Sequence, residues 1–175
     1  GGTNDNVYEY KLSTAFDVSS RTYIDSFSVS PVGFPEELEF SPDGTKMFVL
    51  DNTGDDVNEF KLTTGFDIST ASYVRTFSVN SEEATQTVLA FTPDGNMMFV
   101  TGWSNDTVIE YKLSTAFNIS TATYIDTYAI ADAVTNHPSA ITFSSDGSKM
   151  FIMGRDESPN KVYEYTLSCY YGVVN

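Results

Sequence analysis

Asp51, Asp55 and Asp56 place three carboxylates within the six residues D-N-T-G-D-D. Calcium takes about six to eight oxygen ligands, so these side chains with loop carbonyls could supply part of a shell. The EF-hand pattern fails, because the twelfth position counted from Asp51 is Leu62 where a Glu is required. The expectation is no cofactor, with weak calcium binding at these three aspartates set against ordinary solvated turn carboxylates. Trp103, the only tryptophan, stands beside Asn105 and Asp106. An indole among polar groups can stack on a sugar ring, anchor a protein partner or cap a core. Phe34, followed by Glu36 and Glu37, invites the same alternatives. His137 is the only histidine, and Arg155 is the main cation among the acidic stretches. Both join the candidate binding residues, a loop imidazole without a task being the other reading of His137.

Hydrolytic catalysis would need an activated nucleophile, a base of suitable pKa or a metal with an open position. The one His and the one Cys, His137 and Cys169, lie far apart in sequence, and no G-x-S-x-G, H-E-x-x-H or phosphate-cradling glycine loop is present. Carboxylates at Glu36, Glu37, Asp51, Asp55, Asp56, Glu82, Glu83, Asp106, Asp132, Asp156 and Glu157 are spread evenly. They resemble a solvated surface more than a dyad with separated pKa values. No catalytic residue is assigned, and the chain reads as non-enzymatic. Lys+Arg 9 against Asp+Glu 24 gives a formal charge of -15, a field that repels phosphate backbones and anionic lipid surfaces. Nucleic acid is therefore not an expected partner. No apolar run approaches the roughly 20 residues of a membrane span, so direct membrane insertion is not expected either. The lone cysteine excludes an intrachain disulfide framework and a thiolate zinc cluster. The opening Gly1-Gly2-Thr3 has neither a starter Met nor a signal peptide, as expected of a chain trimmed from a longer or processed product.

The elements that must position these residues come from a repeat. V-Y-E-Y-K-L-S-T-A-F-D-V-S-S from Val7 returns as V-N-E-F-K-L-T-T-G-F-D-I-S-T from Val57 and V-I-E-Y-K-L-S-T-A-F-N-I-S-T from Val108. A fourth copy begins at Val162 as V-Y-E-Y-T-L-S. F-S-P-D-G-T-K-M-F-V from Phe40 recurs in step from Phe91 and Phe143. A period near 50 residues fits one propeller blade of four strands and is long for a helical repeat. Asp43-Gly44, Asp94-Gly95 and Asp146-Gly147 each sit between short apolar runs and predict a tight hairpin joining strands A and B. Strand B (Met47-Phe48-Val49-Leu50 and its copies) is apolar almost throughout, as expected of a strand covered on both faces. Strand C alternates, with Tyr8, Tyr10 and Leu12 on one face and Val7, Glu9 and Lys11 on the other. Strand D, from Tyr23, Tyr73 and Tyr124, lies outermost. The expected fold is all-β, a β-propeller of four-stranded antiparallel blades with about three blade equivalents per chain. Residues 1–30 form an incomplete blade, 38–80 and 88–130 full blades, 140–168 a partial blade and 169–175 a tail. The strand tally is 13, or 14 if Tyr170 to Val174 form an outer strand.

The F-S-P-D-G-[TS]-K-M-F-V core followed by V-Y-E-Y-K-L-S-T-A-F-D resembles the S-P-D-G type β-propeller repeats of bacterial surface-layer-like and YVTN-type proteins, over essentially the whole chain. The resemblance implies an exported location, extracellular or on the bacterial cell surface. It leaves activity open, because such repeats occur in adhesion-like modules, lactonase-like enzymes and proteins of other roles. Propeller lactonases gather metal or acid–base residues from several blades on the central axis, and no residues here match such a set.

Propellers close with about four to eight blades, so one chain falls short. Either two copies close a ring of about six blades, each lending its N-terminal C and D strands to the partner's C-terminal A and B, or the chain is part of a larger propeller. The A-to-B turns and C-to-D connections share one face and repeat nearly unchanged. Asp17, Asp67 and Asn118 are expected to form Asx turns there, and Phe16, Phe66 and Phe117 to plug neighbouring blades. The B-to-C and D-to-A loops on the other face differ from copy to copy. Varied loops on a uniform scaffold point to recognition of a protein or a glycan there. A purely structural segment and a lactonase-like hydrolase remain the alternatives. Glu9, Glu59, Glu110 and Glu164, with Lys11, Lys61 and Lys112 two residues on, are expected to form exposed ion pairs along or across strand C.

Overall fold

A computed structural model of the chain describes residues 5–79, 85–102, 104, 106–130, 138–154 and 161–167. Among the described residues, thirteen strands in four antiparallel sheets and three short 3-10 turns make up the regular structure. The first sheet pairs β1 (Asn6–Leu12) with β2 (Arg21–Ser28). The second runs β3 (Pro35–Phe40), β4 (Lys46–Asp51), β5 (Asp56–Leu62) and β6 (Ala71–Ser78). The third repeats it as β7 (Gln86–Phe91), β8 (Met97–Gly102), β9 (Thr107–Leu113) and β10 (Ala122–Ala129). The fourth holds β11 (Pro138–Phe143), β12 (Lys149–Gly154) and β13 (Val162–Thr166). Strand A starts earlier than the apolar run suggests, at Pro35, Gln86 and Pro138. The segment Tyr170 to Val174 lies outside the described residues.

Each blade folds because strand alternation points its residues at two neighbours. Along β4, Met47 and Val49 join Val29, Val32, Phe60 and Leu62 in the core shared with the first blade. Phe48 and Leu50 join Leu89, Met98, Val100, Ile109 and Tyr111 in the core shared with the third. This two-sided burial is why strand B is continuously apolar. The third core joins Val88, Ala90 and Phe99 to Ile141, Met150 and Ile152. The inner strands β3, β7 and β11 contact one another in sequence, which sets the sheets radially. The Phe48 ring lies 4.6 Å from that of Phe91, and Phe99 4.5 Å from Phe143, so the same aromatic step recurs at successive junctions.

The hairpins between strands A and B close as their sequence demands. Gly44, Gly95 and Gly147 have φ of 68, 70 and 69°, a left-handed region that favours glycine. Asp43 Oδ1 accepts from Ser41 Oγ, Thr45 N and Thr45 Oγ1. The Ser144 hydroxyl, first among similar donors, lowers Asp146 to about 2, and Asp43 and Asp94 are lowered in the same way by Ser41 and Thr92. On the C-to-D side, Asp17, Asp67 and Asn118 accept from the backbone N–H two residues on and cap the 3-10 turns Val18–Ser20, Ile68–Thr70 and Ile119–Thr121.

Two expectations need correction. Phe66 and Phe117 cap their own blade, and Phe117 also packs against the core shared by the second and third blades. Phe66 covers Gly44 and lies 5.5 Å from Phe40, and Phe117 covers Gly95 and lies 5.6 Å from Phe91. Phe16 is 98% exposed. The strand C glutamates are also not uniformly exposed. Glu59 and Glu110 are only 3% and 2% exposed, because a register shift after Glu59 and an equivalent irregularity opposite Glu110 accompany their placement among inter-blade side chains. Glu59 pairs with Lys46 of β4 at 3.1 Å and Arg75 of β6 at 3.3 Å, rather than with Lys61.

Candidate functional site

Backbone hydrogen bonds define the two faces. Phe66 N donates to Gly44 O and Phe117 N to Gly95 O, binding C-to-D connections to A-to-B turns. Opposite them, Asn52 N donates to Phe34 O and Val79 N to Asp55 O, which binds the varied B-to-C and D-to-A loops together.

The candidate residues on this second face are organised chiefly by Asp51. Its side chain is buried, and its carboxylate accepts from Gly33 N at 2.8 Å, Phe34 N at 2.9 Å and Thr53 N at 3.0 Å. A carboxylate is one of few groups that can accept several converging N–H donors. Asp56 faces it across the β4–β5 ladder. Burial raises Asp56 above the ordinary aspartate value, and the charges of Asp51 and Asp55 add to the rise while the Ser78 hydroxyl opposes it. Asp55, at φ 54°, accepts from Thr85 N at 3.0 Å and thereby ties one blade to the next. Among the described residues no three His, Cys, Asp or Glu side chains converge as a metal-binding group. Asp51 and Asp55 organise loops here through bonds to backbone.

Asp106 repeats the geometry of Asp55, with φ 48° and its carbonyl accepting from Ile130 N at 2.9 Å. Phe34 is 39% exposed at the mouth of the β2–β3 loop. Glu36 and Glu37 belong to β3 rather than to the loop, since the strand begins at Pro35. With Asn6, Val7, Tyr8, Val29, Leu38 and Val49 they line a groove of about 350 Å³ beside β1. Trp103, Asn105, His137 and Arg155 lie outside the described residues, as do Glu82, Glu83, Asp132, Asp156 and Glu157.

Glu39 is the residue that sequence reading missed. It alternates with Leu38 and Phe40 and so reads as a solvent-side position of an ordinary strand. In the structure β3 is an inner strand, and Glu39 lines a cleft of about 220 Å³ with Ala90, Phe91, Ile141 and Thr142 of the next two blades. Burial raises Glu39 above the ordinary glutamate value and the charge of Glu37 raises it further; Glu37 is raised by burial and then by Glu36. The only available signal was comparative: the same position holds Ala90 and Thr142 in other copies.

A pH dependence follows. A carboxyl raised by folding contributes stability that is present below its unfolded pKa and is lost as pH rises through the folded value. The lowered aspartates of the A-to-B turns do the opposite, their contribution disappearing as pH falls toward about 2 for Asp146. Glu39→Gln should therefore raise the melting temperature at pH 7, and the gain should shrink at about pH 4, where Asp146 is still ionised. Equal gains at both pH values in thermal melts would contradict this.

The fold has many solved counterparts. A 6-phosphogluconolactonase candidate from Bacteroides uniformis aligns over 96% of this chain and 52% of its own, at 15% identity and TM-score 0.64. A second such protein, from Bacteroides fragilis, aligns over 91% and 47%, at 17% identity and TM-score 0.62. The β-propeller domain of Cps50 (Swd1) from Myceliophteria thermophila aligns over 83% and 42%, at 11% identity and TM-score 0.58. The chain thus spans about half the length of the structures it matches. No protein-family model and no curated protein matches the sequence. The chain has a β-propeller fold.

Proposed function

We propose that the chain is a non-catalytic recognition module of an exported or cell-surface bacterial protein, binding a protein or a glycan through its varied loop face. The observation that carries this reading is the contrast between the two faces. On the first, successive repeats use the same residue types for the same Asx and glycine turns. On the second, equivalent positions differ in size, charge and aromatic character, while Asp51, Asp55 and Asp106 hold the loop backbones in place. A fixed frame with changing side chains is suited to selective contact. Phe34, Glu36 and Glu37 are the described residues best placed to take part. The resemblance to surface-layer-like repeats supports the location.

The test is a glycan array together with a panel of purified extracellular proteins. Binding that falls at least tenfold in Phe34→Ala and Glu36→Gln, and not in Asp67→Asn on the opposite face, would support the reading. An absence of binding, or binding indifferent to Phe34 and Glu36, would favour a purely structural segment. A hydrolytic reading draws on Glu37 and Glu39, whose raised carboxyls near the inner strands suit acid–base work. Lactone hydrolysis, screened with and without divalent metal and abolished by Glu39→Gln with folding intact, would replace recognition with catalysis.

A further inference from the structure

We infer that the pocket between the second and third blades, on the uniform face, binds one pyranose unit of a glycan. It lies opposite the varied loops, so it stands apart from whatever those loops bind.

The pocket has a volume of about 320 Å³, at the small end of ligand pockets. Its walls come from two complete blades. The A-to-B turn of the second supplies Pro42, Asp43, Thr45 and Lys46, and the C-to-D connection of the third supplies Ala116 and Phe117. Phe117 N donates to Gly95 O, and the Phe117 carbonyl accepts from Lys46 Nζ, so both walls are fixed. A cavity built before its ligand arrives lowers the ordering cost of binding.

Two charged groups in this pocket keep unused hydrogen-bonding capacity. Asp43 Oδ1 accepts from Ser41 Oγ, Thr45 N and Thr45 Oγ1, whereas Oδ2 receives no bond from another described residue. Lys46 directs one N–H at Glu59 and one at the Phe117 carbonyl, and an ammonium carries three. An acceptor and a donor thus flank the apolar surface of Pro42, Ala116 and Phe117.

That pairing selects the occupant. A phosphate would meet Asp43 and a formal charge of -15, and a bare cation would meet Lys46. A neutral ligand that donates at one atom and accepts at the next avoids both penalties. Extended peptides are held by a run of backbone groups. Here the N–H and C=O groups of Ser41, Gly44, Thr45 and Lys46 are already bonded within the fold. Adjacent hydroxyls of a pyranose each donate and accept, and its C–H face can pack on an aromatic ring.

The third blade has the same turn with both groups withdrawn. Asp94 Oδ2 accepts from Asn96 Nδ2 at 2.9 Å, and Met97 stands where the second blade has Lys46. Asp94 Oδ1 still accepts from Thr92 Oγ1 and Asn96 N, as Asp43 does from their counterparts. Asparagine in place of Thr45 therefore changes the pocket and not the turn.

The test is an amide chemical-shift titration of the isotope-labelled 175-residue chain. The probes are methyl glycosides of hexoses, pentoses and N-acetylhexosamines at millimolar concentration. At least one should move the amides of Thr45, Lys46, Ala116 and Phe117. Thr45→Asn, which copies the third-blade turn, should weaken that binding at least tenfold and leave the melting temperature unchanged. Ala116→Trp, which fills the pocket, should weaken it as much. Phe34→Ala should leave it intact, so failure of this pocket and failure of the loop-face reading are told apart. The inference is overturned if no glycoside moves those amides, or if binding there is indifferent to Thr45→Asn. A response of the same amides only to a blocked alanyl-prolyl peptide also overturns it and makes the pocket a peptide site.

Discussion

Lys46→Met should lower the stability of the folded chain by about 3 kcal/mol, the scale on which a buried carboxylate loses a partner. Glu59 is almost completely buried, and its carboxylate lies between the Lys46 ammonium and the Arg75 guanidinium. Lys46 also donates to the carbonyl of Phe117, so it crosses from the second blade to the third. Removing the ammonium leaves Glu59 desolvated beside Arg75 alone, and methionine can return packing but no charge. The third blade already contains the compensated arrangement. There Met97 stands at the lysine position and Asp126 at the arginine position, yet Glu110 remains buried. Tyr128 supplies a hydroxyl to Glu110, and burial followed by the Glu110 charge raises that phenol. Its equivalent in the second blade is Phe77. Lys46→Met with Phe77→Tyr should therefore recover at least half of the loss in urea unfolding. If the single substitution costs less than about 1 kcal/mol, the value of an ordinary exposed pair, the inter-blade role assigned to Lys46 is wrong.

Gly95→Ala should cost a similar amount, about 3 kcal/mol, through two separable contributions. Gly95 sits at φ 70°, where a Cβ is strained by about 1–2 kcal/mol. A Cβ there would also come within 2.2 Å of the Phe117 ring. Phe117 cannot retreat freely, because its N–H is bonded to Gly95 O and its ring leans on Phe91, which in turn meets Phe48 of the neighbouring blade. The strain therefore reaches the inter-blade core. Gly95→Ala combined with Phe117→Ala should show the non-additivity of touching residues, costing less than the sum of the single substitutions. Strict additivity in denaturant titrations would mean that the ring does not resist the methyl group.

Strand C looks exposed in sequence because Glu and Lys alternate with apolar residues, and a single amphipathic strand would indeed put them in water. A propeller blade has neighbours on both faces, so the alternation instead divides residues between two cores. Charged positions are then buried wherever a partner reaches them from another strand. Lys46 lies in β4 and Arg75 in β6, and the register shift after Glu59 aligns all three. Nothing local to V-N-E-F-K-L announces those partners. Glu39 was hidden for the same reason, since its half-buried state depends on β3 becoming an inner strand beside β7 and β11.

The turns were legible because their chemistry is local. Asp43-Gly44 and its copies carry their own hydrogen-bond acceptor and their own left-handed glycine, and Asp17, Asp67 and Asn118 bond to N–H groups two residues away. A repeat of about 50 residues built from such turns and from period-two strands implies wedges that must pack on one another. The sequence alone therefore determined the all-β blade, its strand order within each repeat and the division into uniform and varied loops. Only the tertiary structure decided which carboxylates are desolvated and which rings meet across a junction. Those properties depend on residues brought together by radial packing from far apart in the chain, and the free energy of each is set by neighbours that the local sequence does not contain.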